Sequence, residues 1–354
     1  MTSIEVVTVT TDGQIFSAWD SMAATAGEDE AARSFTLACA AEIGTKALAW
    51  VFAPGKLVEV KSNGDLLCAG YTDKFVPRLG EKAADITISG RSKSADLVDC
   101  SALDETGCFK QMPPDAIIKK LAEKFDVDIR VKVKLDPVDY QITPGETIFA
   151  AADKMLRSQG ATMRGAADGG LEIVGADDDE MAGEIVEGRD FKIGTATHDW
   201  SKRYSETRVR GQRPVGVTDE DLQIEAVARD RFVKRHRPRL IVNEDDTSRP
   251  RARKRARQER DRSAGAGLTA SVTLQGFRDS SGALWRPGAL VPVYSPFLML
   301  EQKMRISSVA WRQGPQATGS TSALSLVDPR AHGGKSGRAD KSGEAWEMDA
   351  SDAE

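Results

Sequence analysis

Pro54-Gly55-Lys56-Leu57-Val58-Glu59-Val60 and Pro287-Gly288-Ala289-Leu290-Val291-Pro292-Val293 are two versions of one strand-opening heptad, set in opposite halves of the chain. Proline fixes φ and removes a donor, glycine admits turn dihedrals, and alternating Leu and Val then line one face of a strand. The segments that follow keep step. Leu66-Leu67-Cys68-Ala69-Gly70 aligns with Met304-Arg305-Ile306-Ser307-Ser308, and Ile86-Thr87-Ile88-Ser89 with Ala323-Leu324-Ser325-Leu326. The pattern reads as a duplicated β-domain built of short strands. The heptads alone leave open a coincidence between two ordinary Pro-Gly turns.

Around the first heptad lie further strand signals, Glu5-Val6-Val7-Thr8-Val9 and Ser34-Phe35-Thr36-Leu37-Ala38-Cys39, with turns at Asp12-Gly13, Asn63-Gly64 and Leu79-Gly80. Short strands at this spacing suggest a small barrel or sandwich over residues 1–95. After Gly90 the texture changes. Pro113-Pro114-Asp115 opens a helix with Ile117, Ile118, Leu121, Ala122 and Phe125 on one face, and Ile129, Val131, Val133 and Leu135 then alternate as a strand. A second helix begins after Thr143-Pro144-Gly145, carries Ile148, Phe149, Ala152, Met155 and Leu156 inward, and stops at Gly160. The hairpin Ala161–Arg164 and Leu171–Val174, joined across Asp168-Gly169-Gly170, completes an α+β middle domain over 96–180. Strands resume from about 183, notably Thr207-Arg208-Val209-Arg210-Gly211, and continue from Leu268 into the second heptad. Residues 181–330 are therefore expected to form a second barrel, with a basic helical insertion at about 219–266. Residues 331–354 are Gly-, Ser- and charge-rich with one Trp346-Glu347-Met348 island, and read as a flexible tail dispensable for folding.

Composition narrows the function. The 354 residues have room for two to four domains, and the net charge of −5 is unevenly spread, acidic at 177–190 and basic at 229–262. No apolar run approaches the roughly 20 residues a membrane span needs, and Met1-Thr2-Ser3-Ile4-Glu5 has neither a basic segment nor a hydrophobic run, so the chain is expected to be made and kept in the cytoplasm. Cys39, Cys68, Cys100 and Cys108 form no Cys-x-x-Cys pair and have no histidine near them, while His198, His236 and His332 are scattered. Free thiols, no metal and no cofactor follow, with a Cys100–Cys108 bridge as a minor alternative. Asp177-Asp178-Asp179-Glu180 lacks the alternating ligands and the glycine of a calcium loop and reads as a solvated linker.

No phosphate loop, nucleophile elbow or His-Glu-x-x-His motif is present. Paired acids such as Glu184 and Asp190 would suit a cell-wall glycosidase, but they sit in no recognisable cleft motif, so no catalytic residue is assigned. The stretch from Ser248 to Arg260 combines a serine cap, an early proline and strong helix formers, and within it only Ala252 and Ala256 are small enough to lie flat against a neighbour. Its arginines would attract nucleic acid. Asp230, Glu259 and Asp261 interrupt the charge and no aromatic platform is interleaved, so a contact with protein is expected and any DNA affinity should vanish near physiological salt.

Three longer strings go beyond class. They are Ser89-Gly90-Arg91-Ser92-Lys93-Ser94-Ala95-Asp96-Leu97-Val98-Asp99-Cys100-Ser101-Ala102, then Asp199-Trp200-Ser201-Lys202-Arg203-Tyr204-Ser205 leading into Val209-Arg210-Gly211-Gln212, and Gly282-Ala283-Leu284-Trp285-Arg286-Pro287-Gly288. With the ending Ile306-Ser307-Ser308-Val309, Gly314, Thr321 and Leu324-Ser325-Leu326, the chain from about 5 to 330 resembles the baseplate hub proteins of Mu-like contractile-tailed phages. That family is similar to the T-even phage hub and to the N-terminal part of VgrG spike proteins. The resemblance implies a structural protein of the virion tail, assembled in the host cytoplasm as a homotrimer. Two related barrels per chain then give six positions facing the tail tube, while the threefold face holds the central spike. Other baseplate and tape-measure proteins are further expected partners, and DNA only passes through the channel. A tailocin or secretion-spike hub would share the same residues. In this reading Pro54, Gly55, Pro287 and Gly288 are strand-entry residues, Trp285 a core anchor, Gly90 and Arg91 the closure of the first barrel, and Asp96 a further residue of the structural signature.

Overall fold

In the computed structural model, which describes residues 5–41, 50–81, 84–175, 180–212, 223–243, 249–315 and 319–332, both Pro-Gly turns open a strand. Gly55 and Gly288 adopt left-handed φ values of +87° and +83°. Their bonding is the same. Gly55 N donates to Thr72 O (2.8 Å) and Thr72 N to Lys56 O (2.9 Å), while Gly288 N donates to Ile306 O (2.7 Å) and Ile306 N to Ala289 O (2.9 Å). These anchors set Thr72 against Ile306, so the Leu66–Gly70 segment matches residues four earlier than the Met304–Ser308 alignment expected from sequence. Side-chain type alone did not resolve that slip, because it preserves the inward and outward faces.

The chain divides into two compact units: Met1–Ala182 with Thr273–Ala289 and Ile306–Leu324, and Gly183–Val272 with Leu290–Arg305 and Ser325–Glu354. The first unit starts with β1 (Val7–Thr11), β2 (Gln14–Phe16), β3 (Ser21–Gly27), β4 (Ser34–Ala41), β5 (Leu57–Ser62), β6 (Asp65–Leu79) and β7 (Ala84–Ser92). Asp12-Gly13 and Asn63-Gly64 close two-residue hairpins with positive φ at both central positions, as the twist of paired strands requires. Then come α1 (Ala95–Asp99), β8 (Cys108–Met112), α2 (Pro114–Ala122), β9 (Ile129–Val131), β10 (Val138–Gln141), α3 (Ile148–Ser158), β11 (Ala161–Gly165) and β12 (Leu171–Gly175). Pro114 opens α2, Thr147 Oγ1 caps α3 by accepting from Ala150 N (3.2 Å), and left-handed Gly160 follows its end. Ile117, Ile118, Leu121, Ile148, Ala152, Met155 and Leu156 pack with Phe109, Met163, Leu171 and Ile173 in one core. The predicted hairpin is present as β11 and β12, and β12 also pairs in parallel with β9. The regular strand at Ile129 ends at Val131, although Leu135 stays buried.

The second unit begins with β13 (Ile185–Val186), β14 (Phe191–His198), β15 (Glu206–Gln212), β16 (Gln223–Arg229), β17 (Pro238–Asn243) and α4 (Arg249–Gly265). The remaining strands are β18 (Leu268–Gln275), β19 (Leu290–Ser295), β20 (Leu300–Gly314) and β21 (Gly319–Val327); β18, β20 and β21 carry residues of both units. β15 sits between antiparallel β16 and parallel β17, and fully buried Ala252 and Ala256 of α4 lie on Val209, Ile224, Ala226 and Ala228. The two alanines of the basic helix thus lie flat against the chain's own sheet. The expected insertion is larger than a helix. Thr207–Gly211 belongs to a separate three-stranded sheet beneath α4 and not to the repeated strands. Ser248 and the tail after His332 lie outside the described residues.

The duplication is written in the strand order. Hydrogen-bonded neighbours run β1-β5-β6-β7-β4-β3 in the first copy and β13-β19-β20-β21-β18-β14 in the second, which is the same permutation of six strands taken in chain order, with β2 left out of the first set and β15–β17 out of the second. The lengths match as well, with six, 15 and nine residues in β5, β6 and β7 and in β19, β20 and β21. The copies differ in that β1 meets β5 antiparallel and β13 meets β19 parallel. The described strands make an open order, and no closed barrel is found among them. Closure needs both end strands to find a second partner, and β2, β13 and β14 each have one among the described residues. The chain is α+β and mostly β, and no described helix is long and apolar enough to cross a membrane.

Candidate functional site

Arg164, on β11, faces Glu172 on β12 across the hairpin, and the pair is largely buried with Nε to Oε2 at 2.9 Å. Around it the first unit forms a cleft of about 250 Å³ lined by Arg33, Arg130, Lys132, Arg164, Asp168, Glu172, Glu180, Arg286 and Pro287. Arg130 Nη2 reaches Asp168 (2.6 Å), Lys132 lies 3.3 Å from Glu172 and 3.8 Å from Glu180, and Arg286 lies 3.5 Å from Glu180. Gly288 is buried beside the cleft. A Cβ on it would lie 2.5 Å from Arg164 Nη1 and 3.8 Å from Glu28 Oε1.

Arg33 is the second anchor. Its Nε donates to Gly165 O (2.9 Å) and its Nη1 to Leu67 O (2.8 Å), joining β11 to β6, and its guanidinium lies 6.0 Å from the buried Trp311 ring. Burial lowers its pKa to about 10, with the neighbouring Cys68 opposing that effect; burial pushes the Cys68 thiol up to about 12. At neutral pH these groups are therefore a cation and a neutral thiol.

Two carboxylates of the cleft, Glu172 and Asp168, are held ionised. Burial pushes Glu172 up, but bonds and charge from Arg164 and Lys132 outweigh it and leave the pKa below the usual range. Asp168 behaves likewise through Gly170 N and Arg130. A carboxylate whose folded pKa is depressed adds stability that is complete above its unfolded pKa and is lost as pH falls through the folded value. Urea midpoints should therefore fall as pH drops below about 4.5, and the fall should be shallower in Arg164→Met, which removes the main cause of the Glu172 shift. Parallel pH profiles for the two proteins would count against this assignment.

The signature residues divide into three places. Pro287 and Gly288 meet Arg164 at the cleft, and Trp285 is buried nearby in sequence with its N donating to Phe277 O. Gly90 lies inside β7, paired with Phe35 of β4 and Thr72 of β6; a Cβ there would come 2.1 Å from Tyr71 O and 2.5 Å from the Phe35 ring. It permits close approach of the neighbouring strands. Arg91 forks onto Asp99 (2.7 and 3.1 Å) and bonds Asp73 (2.8 Å), which raises its pKa and lowers that of Asp99. Asp96 is exposed in the first turn of α1, its pKa raised by partial burial and by Asp99. Pro54 and Gly55 are exposed, with open space around Gly55.

Arg33, Arg164, Glu172 and Glu28 were not singled out in the sequence. Arg164 and Glu172 were findable, since the hairpin read across Asp168-Gly169-Gly170 places them opposite each other; nothing local marks Arg33. The candidate acids Glu184 and Asp190 are both clamped by Arg189 at 2.8 Å. Among the described residues no cluster of His, Cys, Asp and Glu could hold a metal, and the four cysteines are free, with Cys100 and Cys108 exposed. The cleft is thus an ion lattice that ties a strand-entry turn to a hairpin.

Comparison with known proteins agrees with a scaffold of this kind. Four family models match in series: "Mu phage baseplate assembly protein GpP-like, N-terminal" over 6–92, "Baseplate hub protein gp44-like, second domain" over 94–175, "Tail protein NMB1110-like, third domain" over 203–258, and "Mu phage baseplate assembly protein GpP, fourth domain" over 248–333. The baseplate hub protein gp44 of Escherichia phage Mu is 28% identical over 300 residues, covering 81% of this chain and 78% of that protein. The 43 kDa tail protein of prophage MuSo2 from Shewanella oneidensis is 27% identical with a TM-score of 0.79, covering 93% of this chain and 99% of that one. A type VI secretion component of E. coli, c3393, described as similar to the T4 tail proteins gp27 and gp5, shares the fold at 10% identity and a TM-score of 0.56, covering 93% of this chain and 79% of that one.

Proposed function

We propose that this chain, a baseplate hub protein of the Mu-like phage type, works as a ring of three whose duplicated strand sets offer six similar positions to the tail tube and three to the central spike. It is a structural component of a phage tail baseplate, located in the virion, and not an enzyme. The ring reading rests on one observation above the rest, the repeated strand order of the two copies. One chain that carries two equivalent sets of strands supplies two equivalent positions, so three chains match a sixfold partner while keeping a threefold face.

Within that reading, the spike, the tail tube and neighbouring baseplate and tape-measure proteins are partners. DNA passes through the centre, which must admit a duplex about 20 Å across. The cleft contributes rigidity. It fixes the second strand-entry turn to the hairpin through Arg164 and Arg286, and a load-transmitting ring requires its strands to hold register under force. The exposed arginines of α4 face outward from a helix whose alanines are already occupied, which suits contact with an acidic protein surface.

Light scattering of the purified chain should give about three times its 38.3 kDa mass. A monomeric mass at every concentration, and also with the spike protein present, would overturn the ring.

A further inference from the structure

We infer that α4 is the docking site for an acidic segment of its own chain, residues 344–354, which covers the arginine face of the helix until an acidic partner surface displaces it. The inference goes beyond the ring reading and does not depend on it. Eight of the 17 residues of α4 are Lys or Arg and two are acidic, and both acids, Glu259 and Asp261, lie in its second half. Residues 249–258 carry six cations and no acid.

Ala252 and Ala256 hold the helix on its sheet, while Arg251, Arg253, Lys254 and Arg257 are exposed and make no ion pair among the described residues. Like charges four apart destabilise a helix, as for Arg251 with Arg255 and Arg253 with Arg257, and cations in the first turn oppose the helix dipole. An anionic segment laid along residues 249–258 relieves both.

Charge and place select that segment. Glu344, Glu347, Asp349, Asp352 and Glu354 give residues 344–354 five carboxylates with no Lys or Arg among them, and Trp346 stands between the first two. Arginine suits both kinds of group, since its planar fork binds carboxylates and its face stacks on indole. The described chain leads to the C-terminal end of this helix. Pro329–His332 lies so close that a Cβ on Gly265 would stand 2.4 Å from Ala331 N, and Arg262 Nε reaches Ala331 O at 3.5 Å. Buried Asp328 fixes the turn by its 2.6 Å pair with Arg330. Beyond it, the 11 positions 333–343 span at most about 36–40 Å, against about 25 Å for the helix, so the acidic run reaches every cation of α4. Such a tether sets an effective concentration of about millimolar, at which individually weak contacts hold.

The test uses the full chain. A water-soluble carbodiimide joins Lys254 Nζ to a carboxylate it touches as an amide, the reagent taking up the water that is lost; denaturing electrophoresis then separates single chains from linked ones before peptide mass spectrometry. The expected result is an amide from Lys254 to one or more of Glu344, Glu347, Asp349, Asp352 and Glu354 in the single-chain band at low salt, lost at about 1 M salt, where charges are screened beyond about 3 Å. Links found only in multi-chain bands would overturn docking on the same chain. Their absence from every band would overturn the docking altogether. A labelled DNA duplex at about 50 mM salt gives a second reading, as a probe of uncovered arginines. A helix face covered about 90% of the time binds it about tenfold more weakly than a bare one. Neutralising the five carboxylates (Glu344→Gln, Glu347→Gln, Asp349→Asn, Asp352→Asn, Glu354→Gln) should therefore tighten binding about tenfold, and the gain should vanish in a chain that also carries Arg251→Gln, Arg253→Gln and Arg257→Gln. These three positions are exposed, so the alanine seat of the helix is kept. An equal gain with and without the three arginines would reveal a bulk charge effect and overturn the proposal, as would no gain at all.

Discussion

Gly288→Val is expected to destabilise the protein by about 2.5–6 kcal/mol, a large part of a typical folding free energy. Two effects add. Valine at φ +83° is strained by about 1–3 kcal/mol, because a β-branched side chain collides with its own backbone there. Its Cβ would also stand 2.5 Å from Arg164 Nη1, so the guanidinium must shift on Glu172, and a weakened bond between buried charged groups costs about 1.5–3 kcal/mol. Gly55→Val is the internal control. Its φ is +87°, but no atom lies within 4 Å of the added Cβ, so only the strain of about 1–3 kcal/mol should appear. Urea unfolding of the two variants measures the difference. Equal losses would show that the Arg164 seat adds nothing to the second turn.

Arg33→Met is expected to cost about 3–6 kcal/mol, from two charged hydrogen bonds of about 1.5–3 kcal/mol each. Methionine preserves most of the side-chain volume, so the loss reports the bonds to Gly165 O and Leu67 O and the attraction to Trp311, with little cavity contribution. Those two carbonyls would remain buried and lose their donor. Arg33→Lys keeps the charge but presents a single point of donation in place of a planar fork, and should recover part of the loss. Thermal unfolding followed by near-ultraviolet dichroism of the tryptophans suits this comparison. A loss under about 1 kcal/mol for methionine would remove Arg33 from the anchors of the first unit.

Much of the fold was legible because its cause is local. The two hairpins follow from Asp12-Gly13 and Asn63-Gly64, where only residues tolerant of positive φ make the turn. Helices α2 and α3 follow from 3.6-residue periodicity, and the seating of α4 from two alanines among arginines. β3 was not legible. Ser21-Met22-Ala23-Ala24-Thr25-Ala26-Gly27 has little β preference of its own and becomes a strand because β4 and β20 bond it on both sides. The same holds for β15, whose alternation reads equally well as a strand of the repeat or of the insertion.

The sequence by itself determined the class of the protein, its repeated strand-entry turns and its family resemblance, since each depends on residues a few positions apart or on strings that can be matched directly. Tertiary structure alone decided which strands are neighbours, that the described strands form an open order, and that Gly288 is buried against Arg164 while Gly55 faces solvent. The physical reason is distance along the chain. A turn glycine answers to its own φ, but strand pairing and the burial of Arg33 or Arg164 answer to backbone groups more than a hundred residues away, such as Gly165 for Arg33 and Gly288 for Arg164, and no local propensity encodes those partners.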